Sequence, residues 1–163
     1  MGYGILIVIG LFVVVYLYTK IKEKAKQNIF FKEQYETQKA LTERSYVYHS
    51  AADAETIKTA IKKHIPTDDS FAANLKGGNY TIEAETPDSI TYLHGAKITT
   101  GGGGDQFTAN VTIRQNNGVS EITAQILRWR VHDGVTRKAG IQAMQDFYDR
   151  VRLAVKETEA NAT

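Results

Sequence analysis

Residues 107–118, Phe-Thr-Ala-Asn-Val-Thr-Ile-Arg-Gln-Asn-Asn-Gly, predict the central hairpin of the fold. Apolar residues occupy every second position from Phe107 to Ile113, which is the pattern of a β-strand with one buried face. Asn116-Asn-Gly118 then supplies the residues that a tight hairpin turn requires. The hairpin predicts an antiparallel sheet, because its two strands are joined by only a few residues.

A second strand of the hairpin is expected from Val119 to His132, and it is followed by a long helix. The inward parity of the strand changes near Ile126-Leu127, which predicts a β-bulge or a strong bend. The helix is expected from about Thr136 to Glu157. Its apolar stripe predicts a core face made of Gly140, Ala143, Met144, Phe147, Val151, Ala154 and Val155.

The residues before the hairpin predict one further strand, two helices and then two more strands. Ser45–Ser50 alternates as a strand does, and Asp53 is a suitable N-cap for a helix that Pro66 ends. A short second helix is expected within 67–76. The next strands are expected at Asn79–Glu85, with Tyr80, Ile82 and Ala84 on one buried face, and at Ser89–Thr99.

The fold class predicted from this order is α+β. An antiparallel sheet of about five strands is expected to curl around the long C-terminal helix, in the order β-α-α-β-β-β-β-α. This order resembles the helix-grip superfamily, the START-like or polyketide-cyclase-like (SRPBCC) domains, over about Ser45 to Lys156. The opening Tyr46-Val-Tyr-His-Ser-Ala-Ala-Asp-Ala-Glu-Thr-Ile57 and the final helix carry the resemblance. It implies space for an apolar ligand between sheet and helix. Because about five strands are expected here and larger members have six or seven, that space is expected to be reduced or filled in this chain.

The first nineteen residues predict a membrane anchor. Gly2 to Thr19 contains no charged side chain, and a helix of that length extends about 27 Å, most of the thickness of a bilayer core. A core helix covered on every face is the alternative. The residues expected to contact lipid are Ile5, Ile9, Phe12, Val15 and Tyr16.

Lysines follow the apolar run at once and predict its orientation. Lys20, Lys22, Lys24 and Lys26 lie within seven residues and are expected to contact lipid headgroups. Because positive flanks stay on the cytoplasmic side, the N-terminus is expected outside and the domain inside. The predicted localisation is therefore the cell membrane, with a single pass.

Four segments are expected along the chain: a transmembrane helix over 1–19, a basic flank and helical stalk over 20–44, the domain over 45–157, and a disordered tail over 158–163.

Residues 1–26 hold four of the 20 basic residues and one of the 18 acidic residues. The remainder is therefore nearly neutral, which gives no reason to expect nucleic acid as a partner. The chain has no cysteine, so a disulfide framework and thiol chemistry are excluded.

Catalytic and metal-binding motifs are not indicated by the sequence. Gly101–Gly104 is followed by a strand instead of the helix that a phosphate loop requires, so a hairpin tip is expected there. The four histidines are spread over four elements, and His132 beside Asp133 has no nucleophile that the sequence identifies. We expect no metal, no cofactor and no catalytic set.

A ligand or partner surface is expected at Tyr92, Phe107, Arg128, Trp129 and Arg130. The alternative is a core tryptophan flanked by two outward arginines.

Two functions are expected from the anchor and the domain together. The first is a non-catalytic accessory subunit of a larger integral-membrane complex, and the second is a membrane-tethered carrier of a lipid or other apolar small molecule. A cyclase-like or hydrolase-like enzyme is a distant third.

Overall fold

A computed structural model describes residues 2–25, 29, 31–95, 105–132 and 134–161, and the side chains of all of these except 2–6 and 161. The elements are α1 (Gly2–Ala25), α2 (Lys32–Thr42), β1 (Tyr46–Ser50), α3 (Ala54–His64), α4 (Phe71–Lys76), β2 (Tyr80–Thr86), β3 (Ser89–His94), β4 (Phe107–Asn116), β5 (Val119–Trp129) and α5 (Lys138–Asn161). The strands form one antiparallel sheet in the order β1-β5-β4-β3-β2. The predicted α+β class, with a five-stranded antiparallel sheet and a C-terminal helix, is confirmed.

The turn between β4 and β5 has the geometry that its sequence predicts. Asn116 pairs with Val119, so only Asn117 and Gly118 lie in the loop. Their φ angles are 51° and 80°. Two consecutive positive φ values define a turn whose twist matches that of the flanking strands, and Asn-Gly adopts it with little strain. This turn fixes the register of the central hairpin.

The core lies between one face of the sheet and the helices α3 and α5. The alternate residues of β4 that the sequence assigns to the core are all buried, as is the predicted stripe of α5 from Met144 to Val155. Four aromatic rings meet in the middle of this layer, with centroids 6.2 to 6.4 Å apart: Tyr80, Tyr92, Phe107 and Phe147. These rings occupy the space in which the helix-grip resemblance places a ligand.

The edge strand β2 departs from the expected burial. Tyr80 is buried, but Ile82 is 37% exposed and Ala84 is also exposed. The register shifts between Ile82 and Ala84, so Glu83 is an extra residue in this strand. A bulge twists an edge strand away from its neighbours. Of the three residues predicted to share one face of β2, only Tyr80 is buried.

The N-terminus of α3 is capped as predicted. The Asp53 carboxylate accepts hydrogen bonds from the amides of Glu55 at 3.0 Å and Thr56 at 2.9 Å. The hydrogen bonds from Thr56 contribute most to lowering the pKa of Asp53 below its usual range. The apolar face of the helix packs in the core through Ile57 and Ile61, both fully buried. Its amphipathic pattern thus predicts both its start and its buried side.

Helix α2, within the segment predicted as a stalk, packs against the domain. Gln38 and Leu41 are buried. The Gln38 Oε1 atom accepts a 2.6 Å hydrogen bond from the backbone amide of Thr136, and the Gln34 side chain donates to the Thr136 carbonyl. Buried polar contacts of this kind fix the position of a helix. The described part of the stalk is thus tied to the segment that leads into α5.

Helix α5 is longer than the sequence predicts. It continues to Asn161, beyond the expected end at Glu157. Thr158 is 3% exposed, and its hydroxyl lies 3.1 Å from that of Ser50 and donates to the Val155 carbonyl at 2.7 Å. These contacts hold the last turn, so the expected fraying does not begin at Thr158. Residues 162 and 163 lie outside the described part of the chain.

Helix α1 exposes apolar side chains in every direction. Its described large hydrophobic residues, from Ile7 to Ile21, are each between 50% and 71% exposed. Among the described residues, which supply side chains in α1 only from Ile7 onward, no helix has the length and apolarity needed to cross a bilayer. The predicted transmembrane span is therefore not supported by the described residues. The expected contacts of Ile5 and Lys26 fall outside them.

Candidate docking groove on the sheet

A groove of about 420 Å³ lies at the edge of the sheet where β3 ends, β4 begins and β5 ends. Glu83 of β2 lines it from the neighbouring edge strand. Four of the five residues that the sequence assigns to a binding surface line it: Phe107, Arg128, Trp129 and Arg130. The other lining residues are Glu83, Leu93, Gln106 and Thr108. Phe107 is only 1% exposed, so the accessible surface of the groove comes from the other lining residues, with Trp129 half-buried.

A β-bulge at Leu127 directs the side chains of this end of β5. Ala109 pairs with Ile126 and Thr108 with Arg128, so Leu127 is the extra residue. The side-chain period of a strand is two, and one inserted residue exchanges its faces. Trp129 consequently lies opposite Phe107 and packs partly against the core. Arg128 lies opposite Thr108, on the other face of the sheet.

An ion pair joins the two sides of the groove. The Arg128 Nη2 atom donates to both carboxylate oxygens of Glu83, at 3.1 and 2.9 Å. Arg128 belongs to β5 and Glu83 is the bulged residue of β2, with Leu93 and Thr108 on the strands between them. The two side chains are 68% and 41% exposed, so the pair contributes about 0–1 kcal/mol to stability. Because Glu83 compensates the charge of Arg128, the groove is mixed in charge and not strongly basic.

Tyr92, the fifth residue assigned to the surface, lies in the core instead. It is fully buried on the opposite face of the sheet from Arg128, in ring contact with Tyr80 and Phe147. Burial raises the pKa of its phenol well above the usual range. Alternate residues of a strand share a face, and Tyr92 shares the core face with the fully buried Ile90. Tyr92 is not among the residues that line the groove.

Two backbones approach closely next to the groove residues Gln106 and Phe107. Gly95 has a φ of 95°, and a Cβ atom there would lie 3.1 Å from the Gln106 Cα atom. His94 stacks on Phe107 with ring centroids 4.8 Å apart, and its Nδ1–H donates to the Asp105 carbonyl at 3.1 Å. Burial lowers the pKa of His94, so the neutral ring is favoured. The sequence does not reveal this packing, because His94 and Phe107 are separated by thirteen positions.

His64 and His49 each lie near one carboxylate. His64 Nε2 lies 2.6 Å from the Glu157 carboxylate, and His49 lies 3.9 Å from that of Glu121. Among the residues that the structure describes, no three potential ligands gather in a metal-binding arrangement. Gly101–Gly104 and Asp133, which the phosphate-loop and base hypotheses require, lie outside the described residues.

Comparisons with known proteins identify no family. No family model and no curated protein matches the chain. Among solved structures, one from Thermus thermophilus is similar with a TM-score of 0.38 and 9% identity, over 73% of this chain and 97% of that one. Another, from Mesorhizobium loti, has a TM-score of 0.38 and 12% identity, over 71% of this chain and 98% of that one.

Proposed function

We propose that this protein is a membrane-anchored, non-catalytic accessory subunit. In this proposal α1 lies in the cell membrane, and the domain docks on a larger integral-membrane complex from the cytoplasmic side. The observation that carries the proposal is the exposed apolar surface of α1. From Ile7 to Tyr18, every described side chain except Gly10 is a large hydrophobic residue at least 50% exposed. A helix that is apolar all round requires a covering of lipid or protein.

The length of the uncharged run supports a bilayer as that covering. The run starts at Gly2, five positions before the first described side chain, and ends at Thr19. Its eighteen residues extend about 27 Å as a helix, close to the roughly 30 Å of a bilayer core. Lys20, Lys22 and Lys24 then favour a cytoplasmic position for everything that follows.

The groove at Arg128 supports docking by the domain. Tryptophan and arginine are enriched among residues that dominate the affinity of protein interfaces, and Trp129 and Arg130 lie side by side there. The aromatic rings between the sheet and α5 favour docking over the carrier alternative, because they occupy the ligand space of that alternative. The proposed partner is a protein of the membrane complex, with lipids contacting the anchor.

Alkaline carbonate extraction of membranes from cells that produce the full chain tests the anchor. We expect the wild-type chain to stay in the membrane pellet. Replacing Leu11 and Val14 by lysine places two charges in the middle of α1, each costing about 3 kcal/mol in a bilayer, and should release the chain. The matched control is the double alanine variant, which should stay in the pellet. Release of the wild-type chain by carbonate would contradict the proposal.

Purification in mild detergent at native abundance tests the accessory role. We expect a stoichiometric integral-membrane partner that is lost when Arg128 and Arg130 are both replaced by alanine. Arg152→Ala on α5 is the control, because Arg152 is exposed and does not line the groove. A chain that is always recovered alone would count against the role. Native mass spectrometry showing a retained apolar molecule would favour the carrier alternative.

A further inference from the structure

A second groove lies beside the start of α2, away from the sheet groove. It has a volume of about 240 Å³ and is lined by Phe31, Gln34, His132, Val135, Arg137 and Lys138. An aromatic ring and an aliphatic side chain thus share one cleft with two permanent cations. No carboxylate lines it among the described residues, and Asp133 lies outside them.

Buried hydrogen bonds hold the two sides of this groove together. The Gln34 and Gln38 side chains of α2 bond the carbonyl and the amide of Thr136, which is 1% exposed. Thr136 directly precedes Arg137 and Lys138, so both cations are held next to the first turn of α2. The groove is therefore a preformed feature of the domain and not a chance gap between mobile loops.

The exposed groups around the groove match the chemistry of an anionic lipid surface. Phe31, which lines the groove, is 45% exposed, and Val131, next to the lining residue His132 in the chain, is 47% exposed. Arg137 and Lys138 are exposed beside them. Membrane-surface sites combine such apolar and aromatic side chains, which enter the headgroup boundary, with Lys and Arg that contact lipid phosphates.

The chain itself keeps this groove near α1. Only five residues lie between Ala25, the last residue of α1, and Phe31 in the groove, so six residue-to-residue steps connect them. Six residues span at most about 21 Å when fully extended. If the lysine end of α1 lies at the bilayer surface, the groove cannot leave the neighbourhood of the headgroups. Covalent attachment at this distance also raises the effective concentration of lipid at the groove.

We propose that this second groove contacts the anionic phospholipid surface of the membrane that holds α1. The proposal rests on the proposed function, because it requires α1 to be in the bilayer. Phe31 and the neighbouring apolar residues contact the headgroup boundary, while Arg137 and Lys138 contact lipid phosphates. The contact holds the domain in one orientation on the membrane, with the start of α5 facing the lipid.

Site-specific fluorescence quenching in nanodiscs tests this orientation. The chain has no cysteine, so Ala139→Cys can carry a single fluorophore beside the two cations. Lys156→Cys is the matched control, because it lies on the same helix about 25 Å away. With headgroup-spin-labelled lipid in discs containing phosphatidylserine, we expect the probe at position 139 to be quenched at least about twofold more than the probe at 156, because nitroxide quenching requires close approach and position 156 lies about 25 Å further along the helix.

Charge variants separate lipid contact from simple proximity. Arg137→Gln with Lys138→Gln removes two cations that each strengthen contact roughly fivefold, so quenching at 139 should fall to the level at 156. Arg137→Lys should retain it, and neutral phosphatidylcholine discs should abolish it in the wild type.

Two results would overturn the orientation proposal while leaving the anchor intact. One is equal quenching at both positions in discs that contain the protein. The other is protection of position 139 that depends on protein concentration but not on lipid charge, which would assign the groove to a second copy of the chain. A chain that does not enter nanodiscs would overturn the proposed function, and with it the orientation.

Discussion

The Tyr148 hydroxyl on α5 donates a 2.8 Å hydrogen bond to the backbone carbonyl of Leu41 in α2. The same oxygen accepts a 3.1 Å hydrogen bond from the Ile126 amide in β5, at the start of the bulge. One phenol therefore joins α2, the terminal helix α5 and the strand β5, which lines the sheet groove. Burial raises the pKa of this phenol above its usual range, so it keeps its proton at physiological pH.

Replacing Tyr148 by phenylalanine should destabilise the domain and loosen α2. The change leaves the Leu41 carbonyl and the Ile126 amide without their partner, at a cost of about 1–3 kcal/mol in the free energy of unfolding. Urea denaturation measures this loss, and limited proteolysis should show faster cleavage within α2. Tyr48→Phe, at a half-buried tyrosine without these two bonds, serves as the control and should change stability less. Equal effects of the two variants would refute the bridging role.

Alanine at Gly95 should cost more stability than alanine at Gly118. Both glycines have positive φ angles, which cost a residue with a Cβ atom about 1–2 kcal/mol. At Gly118 the added methyl group meets nothing within 4 Å, whereas at Gly95 it lies 3.1 Å from the Gln106 backbone. We expect the Gly95 variant to be less stable by at least about a further 1 kcal/mol. Thermal unfolding of both variants, compared with the wild type, decides the order.

The burial of His94 predicts a loss of stability in mild acid. Its pKa in the folded state is lowered by burial, so the unfolded state binds the proton more strongly. The stabilising contribution is complete above about pH 6.5, the ordinary pKa, and declines as the pH falls from there towards the folded pKa. His94→Gln should remove this decline below about pH 6.5, as measured by urea denaturation at each pH. The same slope in wild type and variant would show that another group causes it.

Truncation of Phe147 should be far more damaging than truncation of Leu153 on the same helix. Phe147 is fully buried among the aromatic rings, while Leu153 is 50% exposed. Removing a buried phenylalanine side chain costs about 3–5 kcal/mol through lost burial and the cavity that remains. We expect Leu153→Ala to change the free energy of unfolding by no more than about 1 kcal/mol. Guanidinium denaturation followed by circular dichroism compares the two.

Local chemistry made much of the fold predictable from sequence. Asn117-Gly118 accepts positive φ at both positions, and the change of parity after Ile126 requires an extra residue, which the structure places at Leu127. The cap at Asp53 follows from the preference for aspartate at helix N-termini, and the buried stripe of α5 follows from the helical spacing of its apolar residues. Each of these features depends on residues that are close together in the chain.

Long-range contacts could not be predicted in the same way. Glu83 reaches Arg128 across 45 positions, and only the bulge of an edge strand brings it to the groove. The alternation of β2 places Ile82 on the same face as the buried Tyr80. Nothing local in the sequence indicates the bulge that follows Ile82. The core position of Tyr92 depends on its pairing with Ile82 and Ala109 of the two neighbouring strands, which the sequence does not reveal. Gln38, whose side chain reaches Thr136 across 98 positions, belongs to a helix whose sequence indicates only a polar stalk.

Single-cysteine labelling in intact cells tests the central claim, the insertion of α1 with the domain inside. In the cysteine-free chain, Tyr3→Cys, Val14→Cys and Lys156→Cys each provide one site for a maleimide that cannot cross membranes. The account predicts that position 3 is labelled in intact cells, that position 156 is labelled only after the cells are opened, and that position 14 stays protected until detergent is added. Labelling of position 156 in intact cells, or of position 14 without detergent, would contradict it.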